Sequence, residues 1–145
     1  QGDLPTINSM ALEKVLNLLS SEENEIGTLV TRFEREEDLK KEQFVKAVCN
    51  LSGSETESYA ENFVRKQGDY DSKNLFHHIG IYSFKRDALE KFVTLSQTDR
   101  EKNEKLEQLR ALDNNMKIKI GLIDFLPLGV DTPDDLEEIR KILSK

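Results

Sequence analysis

An α/β layer fold is what this sequence predicts, on two observations. Short apolar runs with strand character interleave along the chain with segments of helical periodicity. Two acids, Asp3 and Asp131, each sit where an extended apolar stretch gives way to a loop and then a helix, as at the strand ends of an open α/β sheet. The 145 residues are enough for one domain with a real core, read as residues 1–145. A composition of 34% charged and 37% hydrophobic residues fits a soluble globular chain and not a disordered one.

The elements follow in order. Gln1-Gly2-Asp3 reads like the exit of a strand whose upstream part is missing. Ser9 is placed to cap a helix running to about residue 19, with Leu12, Val15, Leu16 and Leu19 on one face. Residues 26–31 read as a short buried strand centred on Leu29 and Val30. Residues 32–42 turn to charge, a solvated connection or a short exposed helix. Strands are expected over 44–49 and 59–64, separated by a polar turn. The best strand candidate covers 75–84, followed by a helix over 86–94. Asp99 is placed to cap a helix over 100–112, with Leu106, Leu109 and Leu112 inward. Alternation of Met116, Ile118, Ile120 and Leu122 marks a strand over 116–123. Thr132 caps a last helix, with Pro133 at its first position and Asp134 and Asp135 suiting its dipole.

A net charge of −7 with no dense basic block argues against general nucleic-acid binding. No apolar stretch reaches the ~18 residues that span a bilayer. No signal peptide opens the chain, and the single cysteine, Cys49, allows no internal disulfide, so a cytoplasmic protein is expected. Cys49 lies in an apolar run and reads as a small core residue.

The two acids carry the chemistry. Brought to one sheet edge, Asp3 and Asp131 would form an oxygen-only site suited to Mg²⁺. Such an ion best supports displacement at a phosphate, where it can bridge oxygens and offset developing charge.

Four motifs give the chain a family. Gln1-Gly2-Asp3-x-Pro5, His78-Ile79-Gly80-Ile81-Tyr82, Leu106-Glu107-Gln108-Leu109-Arg110 and Val130-Asp131-Thr132-Pro133-Asp134-Asp135-Leu136 occur in an order that resembles the C-terminal part of the 3-deoxy-manno-octulosonate (Kdo) cytidylyltransferases, the CMP-Kdo synthetases. The resemblance covers residues 1–32 and 74–145; residues 33–73 are a variable segment. It implies part of a nucleotide-diphospho-sugar transferase, Rossmann-like fold that lacks its N-terminal nucleotide-binding half. It further implies an enzyme that joins CTP and Kdo into CMP-Kdo and pyrophosphate for lipopolysaccharide biosynthesis, with Mg²⁺, in a homodimer. By the same resemblance Asp3 and Asp131 are the catalytic metal-binding aspartates. His78 and Tyr82 match sugar contacts on one face of a strand, Glu107 and Gln108 match residues turned toward the sugar hydroxyls, and Gln1 contacts substrate beside the metal. Arg65, in Asn62-Phe63-Val64-Arg65, matches the arginine that holds the anionic sugar.

The sequence also departs from that pattern. Leu4 stands where the family has Glu, and the segment after Arg65 lacks an Ile-Pro pair. The loop rich in Arg, Gly and Lys that cradles the triphosphate is absent from these residues, which predicts a chain inert on its own. Two other readings are a non-catalytic remnant acting as a sugar-binding or assembly module, and a cytidylyltransferase for another acidic sugar such as a sialic acid. Outside the family context each residue has an ordinary role. Asp131 would be an acid near a helix start, His78 a satisfied strand histidine, Tyr82 a core aromatic, and Glu107 and Gln108 a solvated helix face.

Overall fold

A computed structural model of the protein describes residues 4–127, 129–130, 136–137 and 139–141. The sheet is built from β1 (Ile26–Thr31), β2 (Lys46–Val48), β3 (Glu57–Tyr59), β4 (Asn62–Val64), β5 (Leu75–Phe84) and β6 (Ile118–Leu122). Their order is β3-β6-β1-β5-β2-β4. β1 lies at the centre and every one of its residues is buried. It runs parallel to β6 and antiparallel to β5. Helices α1 (Ser9–Asn17), α2 (Arg86–Thr94), α3 (Asp99–Glu104) and α4 (Gln108–Asp113) complete the described fold. Residues 136–137 and 139–141 are helical; the expected cap and first turn at residues 132–135 lie outside the described residues.

The sheet separates two cores. On one face Leu29, Ile79 and Ile123 pack against Ala11, Val15 and Leu18. On the other, Ile26, Val30, Ala47, Phe63, Phe76, Ile118 and Ile120 pack against Ala88 and Phe92 of α2 and Leu109 and Ala111 of α4. Helix α1 can lie close because Gly27 has no side chain: a Cβ there would fall 3.0 Å from the Val15 carbonyl. The Ser83 hydroxyl donates to that same carbonyl at 2.6 Å and fixes the helix on the sheet.

Strand 75–84 and helix 86–94 form as expected, and β1, β2 and β6 fall within their predicted segments. Four expectations need correction. The cap of α1 is Asn8, whose side chain accepts from the Ala11 amide at 2.9 Å. Its inner face is Ala11, Val15 and Leu18, leaving Leu12 and Leu16 exposed. The run 32–42 forms a 3₁₀ turn, Glu36–Lys40, but Asp38 and Leu39 are buried rather than solvated. Residues 99–112 do not make one helix. Thr98, not Asp99, caps α3 with a capping box to Glu101, and Lys105 at φ 54° breaks the helix before α4.

The fourth correction shapes the molecule. Residues 59–64 are not one strand but a crossing between opposite edges of the sheet. β3 pairs with β6 and β4 pairs with β2. At the crossing the Ala60 amide donates to Ile118 at 2.9 Å and the Glu61 amide to Val48 at 2.8 Å. A flat sheet would hold its outer strands about 24 Å apart at ~4.8 Å per strand. Three Cα steps span at most about 11 Å. The sheet is therefore strongly curled around the core it shares with α2 and α4.

Candidate functional site

His78 and Tyr82 come from β5, and the site begins with an irregularity in that strand. Thr28 and Leu29 are consecutive on β1, yet they face Tyr82 and Ile79. Gly80 and Ile81 are extra residues, accommodated in a bulge. Two extra residues leave the alternation of faces intact, so His78 and Tyr82 both point toward the α2–α4 layer. Residues four apart on a regular strand lie about 13 Å apart. The bulge brings their ring centroids to 5.5 Å.

These rings belong to an aromatic row. Phe63 meets His78 edge-on at 4.9 Å, Phe84 lies 6.3 Å from Tyr82, and Phe92 lies 5.6 Å from Phe84. The row is closed at its far end by the Arg110 guanidinium, 4.8 Å over Phe92. Burial drives His78 down to about 3, so its imidazole is neutral. Burial, with the Glu107 carboxylate nearby, drives the Tyr82 phenol up, so it keeps its proton. His78 Nε2 lies 3.0 Å from the Thr28 hydroxyl. Among the described residues neither His78 Nδ1 nor the Tyr82 hydroxyl makes a hydrogen bond; His78 is buried and Tyr82 half-buried.

The break between α3 and α4 sets Glu107 at the N-cap of α4. Its side chain is 72% exposed, held by one contact to Arg110 Nη2 at 3.3 Å. Gln108 follows, half-buried, on the first turn. Arg110 is anchored instead to Glu101 by two bonds, Nε to Oε2 at 2.8 Å and Nη2 to Oε1 at 2.5 Å. That pair, 12% and 5% exposed, ties α4 to α3 and fixes where Glu107 stands. Arg65 spends its guanidinium on carbonyls of Glu104, Lys105 and Glu42 at 2.8, 3.3 and 3.3 Å. It borders the Leu106-Glu107 turn from below and braces it.

His77 faces the other way, stacked on Phe33 at 5.1 Å and tilted against Phe44 at 4.9 Å. Cys49 is buried in the core and its thiol is pushed up to about 12, which suits a packing role. Gln1, Asp3 and Asp131 lie outside the described residues. Among the described residues no cluster of His, Cys, Asp and Glu is arranged to hold a metal. Leu4 and Phe125 both pack against the cluster of Ala11, Val15, Leu18, Leu29, Ile79 and Ile123.

A cleft of about 600 Å³ opens at the carboxyl ends of β1 and β6, lined by Met10, Lys14, Arg32, Glu34, Asp124 and Phe125 among others. None of His78, Tyr82, Glu107, Gln108 and Arg65 lines it. It occupies the strand-end position where open α/β sheets bind ligands. The sequence reading missed two things here. One is Thr28, a hydroxyl inside a mostly apolar strand that carries no periodic signal. The other is the bulge, which the isolated Gly80 inside a strand pattern does signal.

A family model described as cytidylyltransferase matches residues 1–118. A 3-deoxy-manno-octulosonate cytidylyltransferase of Rhizobium johnstonii is 46% identical over 145 residues, covering 99% of this chain and 57% of the relative. Those of Paramagnetospirillum magneticum and Bartonella quintana are 43% and 44% identical, each again covering 99% of this chain and 58% and 59% of the relative. The chain thus spans somewhat over half the length of these relatives. A solved structure of CMP:2-keto-3-deoxy-manno-octonic acid synthetase complexed with CTP superposes with a TM-score of 0.86 at 28% identity, over 99% of this chain and 59% of that one. The matched family model, the shared α/β architecture and relatives aligned along nearly the whole sequence lead to one conclusion: this chain belongs to the cytidylyltransferase family.

Proposed function

We propose that the protein transfers cytidylyl from CTP to Kdo, giving CMP-Kdo and pyrophosphate, and that these residues are the C-terminal portion of that enzyme, folded as one domain over 1–145. The observation that carries the reading is the junction of β5 with α4. Two uncharged polar tips, His78 Nδ1 and the Tyr82 hydroxyl, make no hydrogen bond to a described residue, and the exposed Glu107 carboxylate, contacted by Arg110 at 3.3 Å, lies near Tyr82. That set suits a polyhydroxylated ligand: an acceptor, a donor and a carboxylate around an aromatic floor. Gln108 adds an amide at the same turn. The sugar's anomeric hydroxyl attacks the α-phosphorus in line, pyrophosphate leaves with the electron pair of the broken P–O bond, and the hydroxyl proton passes to solvent water. The described residues contribute by holding the acceptor sugar in position for that attack.

Asp3 and Asp131 supply hard oxygen donors of the kind that fit Mg²⁺. Their carboxylates would hold the ion. When bound, such an ion offsets charge on the phosphate oxygens. The homodimer and a cytoplasmic location belong to the same proposal. No helix among the described residues is long and apolar enough to cross a membrane.

The test is steady-state kinetics on the protein that contains this chain, with CTP and Kdo varied separately. Tyr82→Phe and Glu107→Gln are each expected to raise KM for Kdo about tenfold, the worth of one lost hydrogen bond to a polar ligand, with KM for CTP unchanged. Variants that instead raise KM for CTP alone would remove the sugar from this site. The 145 residues alone, which carry no Gly-rich phosphate-cradling loop, are expected to bind Kdo without turning over CTP.

A further inference from the structure

We infer that Thr28 is a positioning residue that sets the hydrogen-bond polarity of His78 and pins the β5 bulge that brings Tyr82 against it. The Thr28 hydroxyl has one proton and three polar neighbours. It lies 2.7 Å from the Ile81 carbonyl, 3.3 Å from the Ile79 carbonyl and 3.0 Å from His78 Nε2. Carbonyl oxygens only accept. Were the proton directed at His78, a hydroxyl lone pair would face the Ile81 oxygen at 2.7 Å with nothing between them. The proton therefore goes to Ile81, and the hydroxyl oxygen accepts from His78, which must carry its hydrogen on Nε2.

Two consequences follow. A neutral ring protonated at Nε2 leaves Nδ1 as a pure acceptor, and no described residue donates to it. Burial, which takes this ring far below its ordinary value of 6.5, agrees with a neutral ring. His78 thus offers an incoming ligand a lone pair and not a positive charge: it accepts from a hydroxyl and does nothing for a carboxylate. The second consequence is geometric. The Ile81 carbonyl that accepts the Thr28 proton lies on one side of Gly80 and the Ile79 carbonyl, 3.3 Å from the same hydroxyl, on the other, so Thr28 ties down the backbone at the bulge that shortens the step from His78 to Tyr82. The tautomer stands on the structure alone; its meaning for a sugar hydroxyl rests on the Kdo reading above.

The decisive measurement is long-range ¹H–¹⁵N correlation of the His78 ring at neutral pH, in ligand-free protein and then with Kdo. Nε2 is expected to be the protonated nitrogen and Nδ1 the bare one. Thr28→Ser keeps that pattern. Thr28→Val loses it, shifts the Tyr82 ring resonances, and raises KM for Kdo about tenfold while Thr28→Ser stays near wild type. A wild-type ring protonated at Nδ1 overturns the proposal. So does a folded Thr28→Val protein with the tautomer and the Tyr82 resonances unchanged. If Thr28→Val does not fold, the wild-type tautomer and its retention in Thr28→Ser decide. A His78 tautomer as assigned with no Kdo-induced shift at Nδ1 upholds Thr28 and overturns the sugar-site reading instead.

Discussion

His78 couples the stability of this fold to pH. Its imidazole sits against Thr28, Phe63 and Tyr82, with the Glu107 carboxylate beyond the Tyr82 phenol and His77 turned to the opposite face. In the folded protein it binds a proton only near pH 3, against an ordinary 6.5 in the unfolded chain. Above 6.5 both states are neutral and the full stability is present. Between 6.5 and about 3 the unfolded chain holds a proton that the folded one does not, so stability falls as pH falls, by up to about 1.4 kcal/mol per pH unit from this residue. Burial lowers His77 as well, which adds a contribution of the same sign. Denaturant titrations at pH 7 and pH 5 measure the loss. In His78→Gln the pH 7 to pH 5 difference should shrink, and an unchanged difference would mean the ring is protonated in the fold. At this scale the sequence was partly legible. Parity alone puts His78 and Tyr82 on one face, because an even step in a strand preserves the face. Their contact was not legible, because it depends on a bulge that inserts an even number of residues and leaves parity silent. Arg65 was read as the arginine that holds the anionic sugar; its fork is engaged by three backbone carbonyls, and no pattern in the sequence distinguishes a carbonyl brace from a ligand clamp.

Helix α1 illustrates what periodicity can and cannot decide. Leu12, Val15, Leu16 and Leu19 are larger and more apolar than Ala11, and a reading weighted by side-chain size turns the helix toward them. The structure instead turns Ala11, Val15 and Leu18 to the sheet, because Gly27 and Ser83 let the helix backbone at Val15 and the Leu18 side chain come close. Val15 is 3% exposed and Leu16 62%, although they are adjacent. Val15→Ala is therefore expected to cost about 2 kcal/mol through lost burial and the cavity left behind. Leu16→Ala should stay within about 0.5 kcal/mol. Chemical denaturation of the two variants separates them, and a larger loss for Leu16 would restore the sequence-based face. The split between α3 and α4 has a similar origin. The 99–112 pattern is helical throughout, but Thr98 and Glu101 close a capping box, and the Glu101–Arg110 pair is satisfied only if the chain bends at Lys105. That tertiary ion pair, not local propensity, stations Glu107 at a helix start.

At the scale of the whole molecule the α/β class was legible from interleaved periodicities, because strands as long as β5 and as apolar as β1 leave little choice. The curl of the sheet was not. It is written in the two residues between β3 and β4, where consecutive amides bond to β6 and β2, the strands next to the two opposite edges. A short apolar run around Tyr59–Val64 carries no mark of that divided allegiance. The consequence is mechanical: the edge at β6 and the edge at β2 are held in one piece by Ala60 and Glu61, and the core that floors the His78–Tyr82 row lies inside the curl. Replacing Ala60 by proline removes the donor to Ile118 and leaves that carbonyl unpaired, at a cost of about 1–3 kcal/mol. If the crossing couples the edges, the loss cannot stay local. Amide exchange should accelerate together in β3, β6, β2 and β4, while β1 and β5 at the centre keep their protection. Exchange that quickens only in β3 and β6, with β2 and β4 unaffected, would mean that the two edges open independently and that the curl is held by the core packing rather than by the strand that crosses it.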